Sequence, residues 1–128
     1  MEKTLVHGLP RTCRIRRRPD FTLCYETGRR HFSQSFVIFT CERAQGGWRV
    51  GFAVSKKMGN AVRRNRIKRV LREFYRLHSH LLPSGVDLVT VPKKTLLGVD
   101  VNLALITTEL APLLRRIAKA YSPRGGQA

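Results

Sequence analysis

The stretch SKKMGNAVRRNRIKRVLREFYR, Ser55 to Arg76, limits what this chain can fold into more than any other part of it. It holds nine Lys or Arg residues and one acid, Glu73. Yet Ile67, Val70, Leu71, Phe74, Leu77 and Leu81 recur through and beyond it at the spacing of one helical face. The pattern predicts an amphipathic helix with one side buried and an outer side almost uniformly positive. Gly59-Asn60 punctuates its start, and Asn60 is placed to cap it. Lys68, Arg69, Arg72 and Arg76 fall on the outer side with Asn65. A solvated helix ordinarily mixes charge signs to form stabilising pairs, and this one does not. An external anion is therefore expected, at the free N–H groups of the first turn and the cluster of Arg63, Arg64 and Arg66.

The flanking sequence predicts a small sheet for that helix to pack on. DFTLCYETG reads as a short helix opened by Asp20 and stopped by Gly28, with Phe21 and Tyr25 on one face. HFSQSFVIFTC alternates as a strand, with Phe32, Phe36 and Ile38 opposite Ser33, Ser35, Val37 and Phe39. WRVGFAVSKK alternates with Trp48, Val50, Phe52 and Val54 on one side. The short AQGG connection makes these two strands a predicted hairpin. LLPSG ends the basic helix, VDLVTVP is an apolar strand, and KKTLLG is a basic turn. VDVNLALITTELAPLLRRIAKAY is a last helix that Pro112 should kink or break. The order helix, two strands, helix, strand, helix gives an α/β two-layer sandwich. Its 128 residues suit one domain, with a core from about 11 to 119 and flexible tails at 1–10 and 121–128.

The net charge of +17 would be self-repelling without a polyanion to neutralise it. Residues 11 to 76 hold 18 basic and 4 acidic residues, so they carry +14 of that excess. Most of the 25 cations are arginine, whose planar fork grips phosphate and stacks on bases. No apolar run reaches the length of a membrane span and no secretory leader is evident, so the expected location is cytoplasmic. Cys13, Cys24 and Cys41 have neither metal-ligand spacing nor an even count, and read as free thiols. The eight acids are scattered, and the four histidines form no metal motif with the cysteines. MGNAVRRN lacks the second Gly and the Lys-Ser/Thr ending of a P-loop. A stand-alone nuclease is thereby disfavoured. A helix-turn-helix DNA binder is disfavoured because the basic helix lies between strands. Phe21, Tyr25 and Phe39 are candidates for stacking unpaired bases, or else core residues.

The block AVSKKMGNAVRRNRIKRVLREFYR resembles the signature of the protein subunit of bacterial ribonuclease P. The likeness extends through RRPDFTLCYETG, SFVIFT, RVGFAVSKK and VDLVTVPKK, over roughly residues 11 to 119. It implies an α/β fold like a ribosomal-protein domain, with a small mixed sheet and a left-handed βαβ crossover that pattern alone would not give. It also implies that the catalyst is an RNA that uses Mg²⁺, bound mainly by RNA and substrate, to remove the 5′ leader of precursor tRNA. One protein would join one ribonuclease P RNA, and no catalytic residue would lie in the protein. Lys56, Arg63, Arg64, Asn65, Arg66, Lys68, Arg69, Arg72 and Arg76 would face the catalytic RNA. Phe21, Tyr25, Phe39, Ala53, Lys57 and Lys93 would lie along the leader. Tyr25 in place of a more usual Phe, and Pro92 in place of a small residue, bear on leader preference. A ribosomal or other structural RNA-binding protein would share charge and fold without the Arg64-Asn65-Arg66 block directly after a Ser-Lys-Lys strand end.

Overall fold

The computed structural model describes residues 9–43 and 46–121. Seven main elements follow one another: α1 (Arg18–Thr27), β1 (Arg29–Phe32), β2 (Phe36–Glu42), β3 (Arg49–Phe52), α2 (Ala61–Leu77), β4 (Val86–Pro92) and α3 (Leu103–Ala120). The four strands form one mixed sheet in the order β1-β2-β4-β3. β4 runs antiparallel to β2 and parallel to β3, so β3, α2 and β4 make a parallel crossover unit.

The main core lies between one face of the sheet and the pair α2 and α3. Phe36 and Ile38 of β2, Val50 of β3 and Leu88 of β4 meet Ile67, Leu71 and Phe74 of α2 and Ile106, Leu110, Leu114 and Ile117 of α3. Each such side chain contributes about 1.5–3 kcal/mol on burial. This is the expected packing of helices on a sheet. Because strand side chains alternate, Val89, Val91 and Phe39 face the other way. There α1 lies across part of the sheet over a smaller cluster of Ile15, Cys24 and Val89. Gly28 ends α1 as expected, and a Cβ there would run into the carbonyl oxygens of Cys24 and Thr40.

Several expectations are corrected. The anticipated β2–β3 hairpin does not form, because β4 is inserted between those strands. β4 is buried from Val86 through Thr90 on both faces, which is the requirement of a central strand. HFSQSFVIFTC is two strands rather than one, with a turn at Ser33–Ser35. Asp20 does not cap α1 but sits in its first turn, 3.5 Å from Arg49. Leu77, assigned to the buried face of α2, is 45% exposed, and Tyr75 is buried in the core instead. The helix ends at Leu77, and Tyr75 reaches the Thr90 hydroxyl at 2.6 Å. α3 begins at Leu103, capped by Asn102, and continues through Pro112 without a break. Its apolar face, buried along the sheet, sustains the helix against the missing N–H.

Leu9, placed in a tail by its sequence, is 5% exposed and belongs to the core. Tyr121 packs against that core, and its phenol lies 2.7 Å from the Thr40 hydroxyl. Pro10, also placed in the tail, caps a short turn and accepts from the Cys13 N–H at 3.0 Å, whereas residues 1–8 and 122–128 lie outside the described residues, as do Ala44 and Gln45 of the expected turn. Among the described residues the three cysteines are free, and no helix is long and apolar enough to cross a membrane.

Candidate nucleic-acid interface

The first surface is built by the start of α2. Gly59 adopts φ 133°, a conformation that L side chains rarely take, and turns the chain into the helix. Asn60 caps it as expected, its side-chain oxygen accepting from the Arg63 N–H at 2.9 Å. Arg63 then folds back. Its guanidinium donates to the carbonyls of Met58 (2.8 Å), Leu96 (2.8 Å) and Val99 (3.0 Å). It ties the turn before α2 to the loop after β4, so much of its donor capacity serves the fold.

Arg64 and Arg66 are arranged differently. Each uses only Nε on the backbone, Arg64 to Gly59 O at 3.1 Å and Arg66 to Val101 O at 3.0 Å. The rest of the Arg64 fork is bonded to nothing else among the described residues. Arg66 lies 3.7 Å from Asp100, whose side chain is 86% exposed, a weak surface pair. Anchored stems with outward ends preorganise these two arginines for phosphate. Asn65 and Arg69 are exposed beside them. Arg76 instead closes on Glu73 through two nitrogens, and that pairing holds the Glu73 carboxyl below its ordinary value. Lys56 and Lys57 are exposed on the short turn between β3 and α2.

The second surface is the sheet face beside α1. The Tyr25 and Phe39 rings meet edge to face with centroids 5.0 Å apart. Phe21 lies against Gly51, where a Cβ would approach its ring to 2.8 Å. The small residue on β3 thus lets α1 settle close to the sheet. A cavity of about 390 Å³ opens between α1 and the end of β3, lined by Arg16, Arg18, Phe21, Thr22, Tyr25, Phe52 and Ala53. Aromatic faces among arginines, half open to solvent, suit an unpaired nucleotide. Burial holds the Tyr25 phenol above its usual value, so it stays neutral and able to donate. Lys93, at the end of β4, donates to the Ser33 carbonyl at 3.0 Å.

RIRRRP, residues 14–19, leads into α1 and runs beside β3. Ile15 donates its N–H to Val50 O at 2.8 Å, and Arg14 bridges to Val50, extending the sheet beside β3. Strand alternation buries Ile15 and leaves Arg14 and Arg16 beside the helices. A second cavity of about 170 Å³ is lined by Arg14, Arg16, Phe21, Lys68 and Arg72, among others. Arg16 and Phe21 line both cavities, so the cationic face of α2 and the aromatic cleft are continuous. In this junction the Nε atoms of Arg14 and Arg72 are buried without a hydrogen-bond partner. Burial first, then Arg14 and Arg69, pull Arg72 below the ordinary arginine value. Cations crowded together with orphaned donors form a surface that lacks its counter-charge. The alternation in Arg14-Ile15-Arg16 was the available signal, too short to read as a strand.

No group of three or more His, Cys, Asp or Glu side chains comes together among the described residues. His78 stacks on Phe74 with centroids 4.4 Å apart.

The family model described as Ribonuclease P matches residues 9–118. A ribonuclease P protein component from Oleidesulfovibrio alaskensis is 55% identical over 111 residues, covering 85% of this chain and 89% of its own. That of Desulfovibrio desulfuricans is 53% identical over 113 residues, covering 87% of each. Among solved structures, the ribonuclease P protein of Thermotoga maritima aligns with TM-score 0.74 and 33% identity over 80% of this chain and 96% of that one. The Staphylococcus aureus protein aligns with TM-score 0.72 and 35% identity over 86% and 98%.

Proposed function

This chain belongs to the ribonuclease P protein family, and from that premise we propose how its two surfaces divide the work of tRNA 5′-end processing. The cationic face of α2 docks on the catalytic RNA through Arg64, Asn65, Arg66, Lys68, Arg69 and Arg72. The cleft beside α1 holds the single-stranded 5′ leader of precursor tRNA through Phe21, Tyr25, Phe39 and Ala53, flanked by Lys57 and Lys93. Arg14 and Arg16 join the two, so that leader and RNA are gripped by one continuous surface. Arg63 and Arg76 support this face through the backbone carbonyls and the carboxylate they bind. Lys56 adds charge at its edge.

The observation that carries this reading is the continuity of an unneutralised arginine cluster with an aromatic cleft. Phosphates supply the missing anions at one end, and unpaired bases stack at the other. The protein contributes binding and orientation, in the cytoplasm and as one copy per RNA. Mg²⁺ chemistry is assigned to the RNA and substrate. Holding the leader raises the fraction of substrate bound in a productive position, which is where a non-catalytic subunit gains rate.

Tyr25→Ala provides the test. Tyr25 is 41% exposed, so its truncation leaves the core intact. In the holoenzyme it should weaken binding of leader-bearing precursor by roughly fivefold or more, and of mature tRNA hardly at all. Equal effects on both substrates would remove the leader from the cleft.

A further inference from the structure

Phe32 is 56% exposed at the end of β1, and neither the core nor the cleft described above uses it. A single exposed aromatic needs no explanation by itself. This one is set in a particular place. It pairs with Val37 of β2, which pairs with Val91 of β4, so all three lie on the sheet face that carries Phe39 and Val89. Arg30, on the same face, stands directly opposite Phe39. Phe32 is the diagonal neighbour of Phe39, about 7–8 Å away across the strand pair.

The support beneath Phe32 is unusually complete. Lys93 Nζ lies 5.9 Å from its ring centroid while donating to Ser33 O at 3.0 Å. Glu109 of α3 accepts from the Ser33 hydroxyl and the Ser35 N–H, both at 2.5 Å. Thr95 donates to Gln34 O at 2.6 Å. The turn after Phe32 is therefore fixed by three side chains from two places in the fold, the loop after β4 and α3. A ring held this way loses little entropy when something stacks on it.

We propose that Phe32, with Lys93 and Arg30, forms a further stacking subsite for an unpaired base of the same strand, one step beyond the Tyr25–Phe39 pair. The proposal rests on the leader lying in the cleft. A net charge of +17 argues for a polyanion on this face and against a second copy of the chain. An aromatic ring with Lys93 over it and Arg30 two residues away on the same strand face matches the alternation of base and phosphate along a single strand.

The test uses reconstituted holoenzyme and precursor tRNAs with leaders lengthened one nucleotide at a time. Phe32→Ala should bind short-leader substrates like the parent protein. Once the leader reaches Phe32, it should fall behind by roughly fivefold or more, with Phe32→Tyr retaining the parent affinity. Tyr25→Ala should lose affinity from shorter leaders onward. If Phe32→Ala matches the parent at every length while Tyr25→Ala does not, the subsite is refuted and the cleft stands. If neither variant responds to the leader, the cleft itself is wrong. A loss shared with mature tRNA would also refute the subsite.

Discussion

Replacing Arg72 by Met should stabilise the free protein while weakening its hold on RNA. The two effects share one cause. Arg72 Nε is buried without a partner, and so is that of Arg14. Arg14 and Arg69 oppose its charge, and Lys68 lines the same cavity. An unsatisfied buried donor costs about 1–3 kcal/mol. The side chain is half-buried, so the lower end applies, and Met preserves the packing of the stem. We expect the variant to gain about 1 kcal/mol against urea, or roughly 3–5 °C in melting midpoint, in dilute chloride buffer. At about 1 M salt the Debye length shrinks to about 3 Å, and the gap should narrow as screening relieves the parent protein. Binding to the catalytic RNA should weaken by roughly 10- to 100-fold, the worth of one charge-assisted hydrogen bond. The slope of log K against log salt should fall by about one. A variant that is less stable than the parent and binds RNA with unchanged affinity and slope would show that Arg72 is structural.

Two neighbouring arginines should behave in opposite ways. Arg63→Ala removes three ties to backbone carbonyls and should cost about 2 kcal/mol of stability. Arg64→Ala should stay within about 0.5 kcal/mol of the parent but reduce RNA affinity, as urea titration and filter binding would reveal. His31 contacts the Thr40 hydroxyl at 2.9 Å, and burial, then Arg29 and Arg116, lower its pKa from 6.5. The unfolded state takes up this proton more readily. Stability should therefore fall as pH drops through 6.5 toward the lower folded value, and be restored above it. Denaturation across pH 5 to 8 should find that acid-side loss reduced in His31→Gln.

The sequence carried α2 well because its apolar period, its cap at Asn60 and its one-signed outer face all agree. The β2–β3 pairing failed for a specific reason. Adjacency and a Gly-rich turn favour a hairpin, but VDLVTVP is apolar on both faces and can be satisfied only at the sheet centre. β1 was read as the start of β2 rather than as a separate strand, because RRHF is an exposed edge strand, charged as such strands tend to be. The site divided similarly. The arginines of α2 were legible as a cluster, but which of them point outward depends on the carbonyls of Leu96, Val99 and Val101, distant in sequence. The placement of Arg14 and Arg16 beside α2 emerges only once Ile15 is registered against Val50.

The central claim is that this protein assists an RNA catalyst. Purified protein should be mixed with a bacterial ribonuclease P RNA at an Mg²⁺ concentration where that RNA alone is inactive, and removal of the precursor tRNA leader followed. The account predicts cleavage with both components and none with either alone. Protein that binds the RNA without raising the rate, or that cuts precursor after nuclease treatment and repurification, would contradict it.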